Sequence, residues 1–203
     1  MDPIDLTPMQ RDALREIGNI GAGHAATALS QLVGKPISLT NPTLQIVGLA
    51  EVPRALGGPE QLVGAVYSRL LGDLAGGILF MATRDSSLAL VDLMHGWPVG
   101  TSKTFGRDEE ALLTHVVSVL SSAYLAAIAR MADLSVLPGT PAFVLDMAGA
   151  ILEAVTAELG MQVEHAVVVR TTFMDEETSV DAALFFLPDP GSLQVILTRV
   201  GVI

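Results

Sequence analysis

Asp12, Glu16 and Asn19 follow one another at spacings of four and three residues. On a helix that advances about 100° per residue they fall within roughly 60° of one another, so two carboxylates and an amide share one face. Gly23 is the next position on that face and adds no side chain, which leaves a bare patch that a partner can approach closely. Gly18 and Gly21 lie in the same stretch, and each helical glycine costs up to about 1 kcal/mol relative to alanine, so the run needs compensation. The residues alone leave two readings open. One is a docking face of carboxylate, amide and bare backbone. The other is ordinary solvated surface, with small residues that let a neighbouring helix pack closely.

The helix that must carry these residues is well marked. Thr7 can cap it, Pro8 suits its first turn, and Gln10 can reach back as in a capping box. It is predicted to run to about Val33 and to close at Gly34. Leu14, Ile17, Gly21, Ala25, Ala28 and Leu32 then form an apolar stripe opposite Asp12, Glu16 and Asn19, and that stripe should enter the core. Strand-like segments are expected at Ile37–Leu39 and Thr43–Leu49, then a short helical piece at Glu51–Leu56. Strands Leu62–Leu70 and Leu74–Met81 with a turn at Gly72-Asp73 should follow, then a helix capped by Asp85 and running through Met94. The Gly-, Pro-, Ser- and Thr-rich stretch from Gly96 to Gly106 is the natural internal boundary.

The second half repeats this order. A long helix is expected from about Asp108 to Ala132, a short strand near Val136 and a helix from about Leu145 to Leu159. Strands at Val163–Phe173 and Val180–Phe186 come next, and a segment of mixed character begins at Ser192. An offset of 99 residues sets Pro42 on Pro141, Leu14 on Leu113, Ile17 on Val116 and Ala28 on Ala127, preserving the apolar stripe. The expected fold is therefore α+β and internally duplicated, with halves about 7–97 and 106–203 of a single domain. Two long helices related by a pseudo-two-fold should pack against antiparallel sheet.

Composition narrows the chemistry. Half of the 203 residues are hydrophobic and 16% are charged, enough apolar surface for a sizeable core. The formal net charge of −11 disfavours nucleic acid as a partner. With no cysteine, disulfides, thiolate metal sites and a cysteine nucleophile are excluded. The acidic start does not read as a signal peptide, and no uninterrupted apolar segment of about 20 residues is apparent. A soluble, cytoplasmic protein without membrane insertion is expected. His24, His95, His115 and His165 show no zinc-site spacing, so no metal is expected. The glycines at 18, 21 and 23 lack the preceding strand and the lysine of a phosphate loop. Ser121-Ser122 has no nucleophile-elbow context.

The stretch from Asp12 through Glu16, Asn19 and the run Gly18–Gly23 to Ser30 resembles the signature helix of the CheC/CheX/FliY phosphatases of chemotaxis. The family's pattern is Asp or Ser, three residues, Glu, two residues, Asn, then twenty-two residues and Pro. Pro42, twenty-three positions after Asn19, completes it. The resemblance implies a CheC-like fold and hydrolysis of the aspartyl phosphate of a CheY-like response regulator. It implies that Asn19 positions the attacking water and that Glu16 engages the regulator's lysine. Asp12 is then a rim contact or a plain surface charge, Gly23 part of the partner-binding face, and Pro42 structural. No cofactor belongs to the chain itself, because the required Mg²⁺ sits on the regulator.

This sequence departs from two-site members of that family in its second half. The positions matching Asp12, Glu16 and Asn19 are Ala111, His115 and Ser118, and only Pro141 survives. Histidine offers no carboxylate to a lysine, and serine is shorter than asparagine, so this second site reads as degenerate. The alternative function is a non-catalytic adaptor that binds phosphorylated regulator, a CheD-like deamidase or the flagellar switch.

Overall fold

Thr7 begins the first helix in the expected way: its hydroxyl accepts from the Gln10 N–H, and the Gln10 side chain accepts from the Thr7 N–H at 2.9 Å. The structure is a computed structural model that describes residues 6–34, 38–159, 165–174 and 179–202. Helix α1 spans Pro8–Val33 and ends at Gly34, whose φ of 71° supplies the left-handed cap that glycine adopts without penalty. Strand β1 (Ser38–Gly48) follows, then a 3-10 turn (Leu49–Leu56), strands β2 (Leu62–Gly72) and β3 (Gly76–Thr83), and helix α2 (Arg84–His95). The second half runs through α3 (Arg107–Ala132), β4 (Val136–Pro138), β5 (Ala142–Met147), α4 (Ala148–Glu158), β6 (His165–Met174), β7 (Ser179–Pro188) and α5 (Pro190–Arg199).

All strand pairs among the described residues are antiparallel, in the order β1-β6-β7-β3-β2-β4, with β5 also on β2. Each half lends strand to the other: β1 pairs with β6, and β4 and β5 both pair with β2. Alternation along the central strands sorts the core into two layers. Val66, Ile78, Phe80, Leu184 and Phe186 face a cluster with α1, α2, α3 and α5, whereas Ala65, Tyr67, Leu79, Met81 and Phe185 face α4 and the 3-10 turn. The helices α1 and α3 are the longest, 26 residues each, and stand 99 positions apart, as the sequence offset anticipates. Element order and strand exchange recur between the halves; descent of the halves from one duplicated unit stays an expectation of the sequence.

Several expectations need correction. The segment expected as one helix from Leu145 to Leu159 is divided: Ala142–Met147 pairs with β2, and the helix starts only at Ala148. Short apolar runs do not distinguish helix from strand, and here pairing decides. The cap of α2 is Thr83, whose hydroxyl accepts from Ser86 N–H at 3.1 Å, and Asp85 merely lies in the first turn. The segment of mixed character is helix α5, capped by Asp189 with Pro190 in its first turn. On α1, Leu32 is 39% exposed and Leu29 is the residue fully buried. By length and composition α3 is apolar enough to cross a membrane, contrary to the sequence expectation. Its apolar positions, among them Leu113, Val116, Leu120, Leu125 and Ile128, are packed in the core. The expected strand starts at Ile37 and Val163 lie outside the described residues.

The boundary at 96–106 is tied to the core by a buried acid. The Asp92 carboxylate is fully buried and accepts from the N–H groups of Gly100, Thr101 and Ser102 at 2.7, 3.0 and 2.9 Å. Burial alone would raise its pKa, but the nearby Ser102 hydroxyl and the three backbone donors outweigh that and hold the carboxyl below its ordinary value. Its stabilisation is therefore complete above the unfolded-state value of about 3.9 and is lost as pH falls through the lower folded value. Asp92→Ala should destabilise the fold by about 1–3 kcal/mol at neutral pH, because three part-buried N–H donors lose a charged acceptor. In melts from pH 6 to pH 3, the gap between wild type and variant should shrink below about pH 4. A gap that is constant across that range would contradict this assignment.

Candidate functional site

The face of α1 away from the core carries Asp12, Glu16, Asn19 and Gly23, all of them exposed. Its inner face buries Leu14, Ile17, Gly18, Gly21, Ala22, Ala25 and Leu29. The helix period thus separates the two groups as the spacing requires. Among the described residues neither the Glu16 nor the Asn19 side chain has a hydrogen-bond or ion-pair partner within the chain. Asp12 does: Arg15 Nη1 lies 3.7 Å from its Oδ1, with both side chains more than half exposed. Such an exposed pair contributes little to stability. Arg15 was not singled out from the sequence, although its spacing of three residues from Asp12 is the signal that would have found it.

What holds this face outward is close contact behind it. A β-carbon on Gly21 would lie 2.5 Å from Cδ2 and 2.6 Å from Cε2 of Tyr124 on α3. The Tyr124 ring is 1% exposed and also tilts against Phe186, with centroids 6.4 Å apart. Burial pushes its hydroxyl pKa up, so it stays protonated at any physiological pH. Gly21 is therefore a packing glycine. Its partner Tyr124 lies about a hundred residues away in sequence, so local pattern carried no sign of the pairing.

Pro42 lies in the edge strand β1 where its register with β6 shifts, between Thr40 and Thr43. Edge strands and bulges are where a strand tolerates a residue without an N–H. Pro141 stands at the matching break between β4 and β5. The second stripe occupies the corresponding face of α3: Ala111 and His115 are exposed and Ser118 is half-buried. Ser118 Oγ donates to the Thr114 carbonyl at 2.7 Å, so its proton is spent within its own helix. His24 is exposed and outside the Asp12–Asn19 line. Among the described residues no group of three His, Cys, Asp or Glu side chains is placed to hold a metal ion.

The fold is similar to known chemotaxis and flagellar-switch proteins. The crystal structure of Thermotoga maritima FliY matches with a TM-score of 0.78 at 17% identity, covering 97% of this chain and 98% of that one. The FliM middle domain from H. pylori matches with a TM-score of 0.69 at 12% identity, covering 96% of this chain and 99% of that one. The model of the CheC-like family matches residues 9–46, which take in α1 from its second residue and the Pro42 break. The Bacillus subtilis protein named CheY-P phosphatase CheC is 32% identical over 196 residues, 95% of this chain and 94% of that relative. The chain belongs to the CheC-like family.

Gly21→Ala should lower stability by about 1–2 kcal/mol, since a β-carbon 2.5 Å from a ring atom puts overpacking toward the upper end of the usual range of about 1–3 kcal/mol and the gain in helix propensity offsets about 1. Adding Tyr124→Leu should recover part of that loss, because the two side chains compete for one space. Thermal melts of the four forms of this cycle check it; additive losses would show that Tyr124 is not the obstacle.

Proposed function

We propose that the chain is a phosphatase that hydrolyses the aspartyl phosphate of a CheY-like response regulator, with α1 as the docking and catalytic face. The observation that carries this reading is the pair Glu16 and Asn19, exposed on one helix face and without a partner of their own. Kinship with a protein named CheY-P phosphatase CheC supports it.

The chemistry asks little more of this chain. Phosphoryl transfer from an acyl phosphate depends on a water placed in line and on charge stabilisation. The Asn19 amide both donates and accepts, so it can hold such a water, and it carries no negative charge to oppose the phosphoryl oxygens. Glu16, one turn earlier, is placed to pair with the regulator's lysine and to fix the register of docking. The rate gain then comes from positioning. Mg²⁺ belongs to the regulator in this reading, and the chain supplies no metal ligand. Asp12, already facing Arg15, stands at the rim. Such a substrate places the protein in the cytoplasm. The face of α3 is inactive in this account, with His115 in place of a carboxylate and the Ser118 hydroxyl bonded to Thr114.

Single-turnover phosphate release from a phosphorylated CheY-like regulator tests the assignment. Asn19→Ala should lower the maximal rate on the order of a hundredfold while leaving half-saturation nearly unchanged. Glu16→Ala should raise the half-saturating concentration about tenfold, and Glu16→Lys further, because it sets a cation against the lysine. His115→Ala and Ser118→Ala should stay within about twofold of wild type, as expected for surface substitutions away from the site. Equal losses from Asn19→Ala and Ser118→Ala, or an unimpaired Asn19→Ala, would contradict it. Stoichiometric binding without acceleration would favour the adaptor instead.

A further inference from the structure

Glycine in the middle of an exposed helix is unfavourable, and a fold tolerates it for one of three structural reasons. The residue adopts a left-handed φ, a neighbour sits too close for a β-carbon, or the helix ends there. Gly23 meets none of them. It is absent from the positive-φ glycines of the chain. A β-carbon built on it meets nothing within 4 Å, whereas one on Gly21 would overlap the Tyr124 ring. The helix does not end there, for it continues ten further residues to Val33. The fold gains nothing from the missing side chain.

Gly23 also follows Asn19 by four residues, so it lies one turn further along the same exposed line. Any surface that brings a phosphoryl group to the Asn19 amide must pass over Gly23 or close beside it. The matching position on the altered face of α3 is Ser122, exposed and bearing a side chain. The bare position thus accompanies the intact Glu16 and Asn19 and is missing where those two are replaced.

We infer that Gly23 is a specificity-determining docking position, where the backbone of the phosphorylated regulator closes directly onto α1 because no β-carbon stands in the way. The inference rests on the phosphatase reading of α1 and adds the steric condition under which Asn19 reaches its target. A β-carbon at 23 lifts the regulator from the helix by about its own radius, and larger side chains lift it further. Docking weakens in proportion to side-chain size, while the hydrolytic group itself is untouched.

The test is a graded series in the full chain: Gly23→Ala, Gly23→Ser and Gly23→Leu, with Asn19→Ala alongside. Three quantities are read: melting temperature, dissociation constant for a CheY-like regulator carrying beryllofluoride on its aspartate, and single-turnover release from the phosphorylated regulator. Gly23→Ala should raise the melting temperature by about 2–4 °C, the value of a relieved helical glycine in a chain of this size. It should also raise the dissociation constant and half-saturation about tenfold, with Gly23→Ser similar and Gly23→Leu more severe. The maximal rate should fall less than half-saturation rises, the opposite split from Asn19→Ala. A lower melting temperature for Gly23→Ala would assign the glycine to the fold and overturn the inference. So would wild-type affinity in Gly23→Leu. Graded affinity loss without phosphate release by the wild type would support the docking position and overturn the phosphatase reading alone. A wild type that neither binds nor hydrolyses would overturn both.

Discussion

The ring of Tyr124 occupies the space that a β-carbon on Gly21 would need, and the orientation of α1 follows from that contact. Two helices approach this closely only where one of them lacks side chains, and α1 supplies Gly18, Gly21, Ala22 and Ala25 along its buried face. At Gly21 the bulk comes from the other side, as the Tyr124 ring of α3. That one-sided fit at Gly21, with Leu14, Ile17 and Leu29 buried along the same face, fixes the rotation of α1 about its own axis. Rotation by one residue, about 100°, would drive polar side chains into the core. The outward direction of Glu16 and Asn19 is thus a consequence of packing on the opposite side of the helix.

Beneath this pair, the sheet explains why the site needs both halves of the chain. Strands β1 and β5 each pair with the other half, so the layer under α1 and α3 is built jointly. The two helices have equal length and each presents an outer stripe, yet only one stripe carries a carboxylate and a free amide. In the proposed reading, scaffold geometry is shared between the faces and reactivity is set by two side chains, Glu16 and Asn19. The Ser118 hydroxyl illustrates the difference: its oxygen is bound to its own helix, where an asparagine would extend beyond it.

Much of this was legible in the sequence because it is written locally. The cap at Thr7, the stop at Gly34 and the separation of Asp12, Glu16 and Asn19 from Leu14 and Ile17 need only helix periodicity and cap chemistry. The break at Pro42 follows from the missing N–H. What was not legible depends on distant partners. Strand β5 exists because β2 offers it an edge, and its last residues, Leu145–Met147, read equally well as the start of a helix. The burial of Leu29 in place of Leu32 reflects where α1 meets its neighbours, which an ideal helical wheel does not locate. The reason for Gly21 appears only with Tyr124 in place, and the acid that anchors residues 100–102 appears only once the loop returns to Asp92.

The central claim, that the regulator is met by the outer face of α1, is tested most directly by nuclear magnetic resonance. The chain would be titrated with a CheY-like regulator carrying beryllofluoride on its aspartate, while the side-chain amide of Asn19 and the backbone amides of both long helices are followed. The account predicts that the Asn19 side-chain resonances and the amides from Asp12 to Gly23 shift together with one saturation curve, while those around His115 and Ser118 stay in place. Shifts centred on α3 or on the β5 edge, with Asn19 unperturbed at saturation, would contradict it.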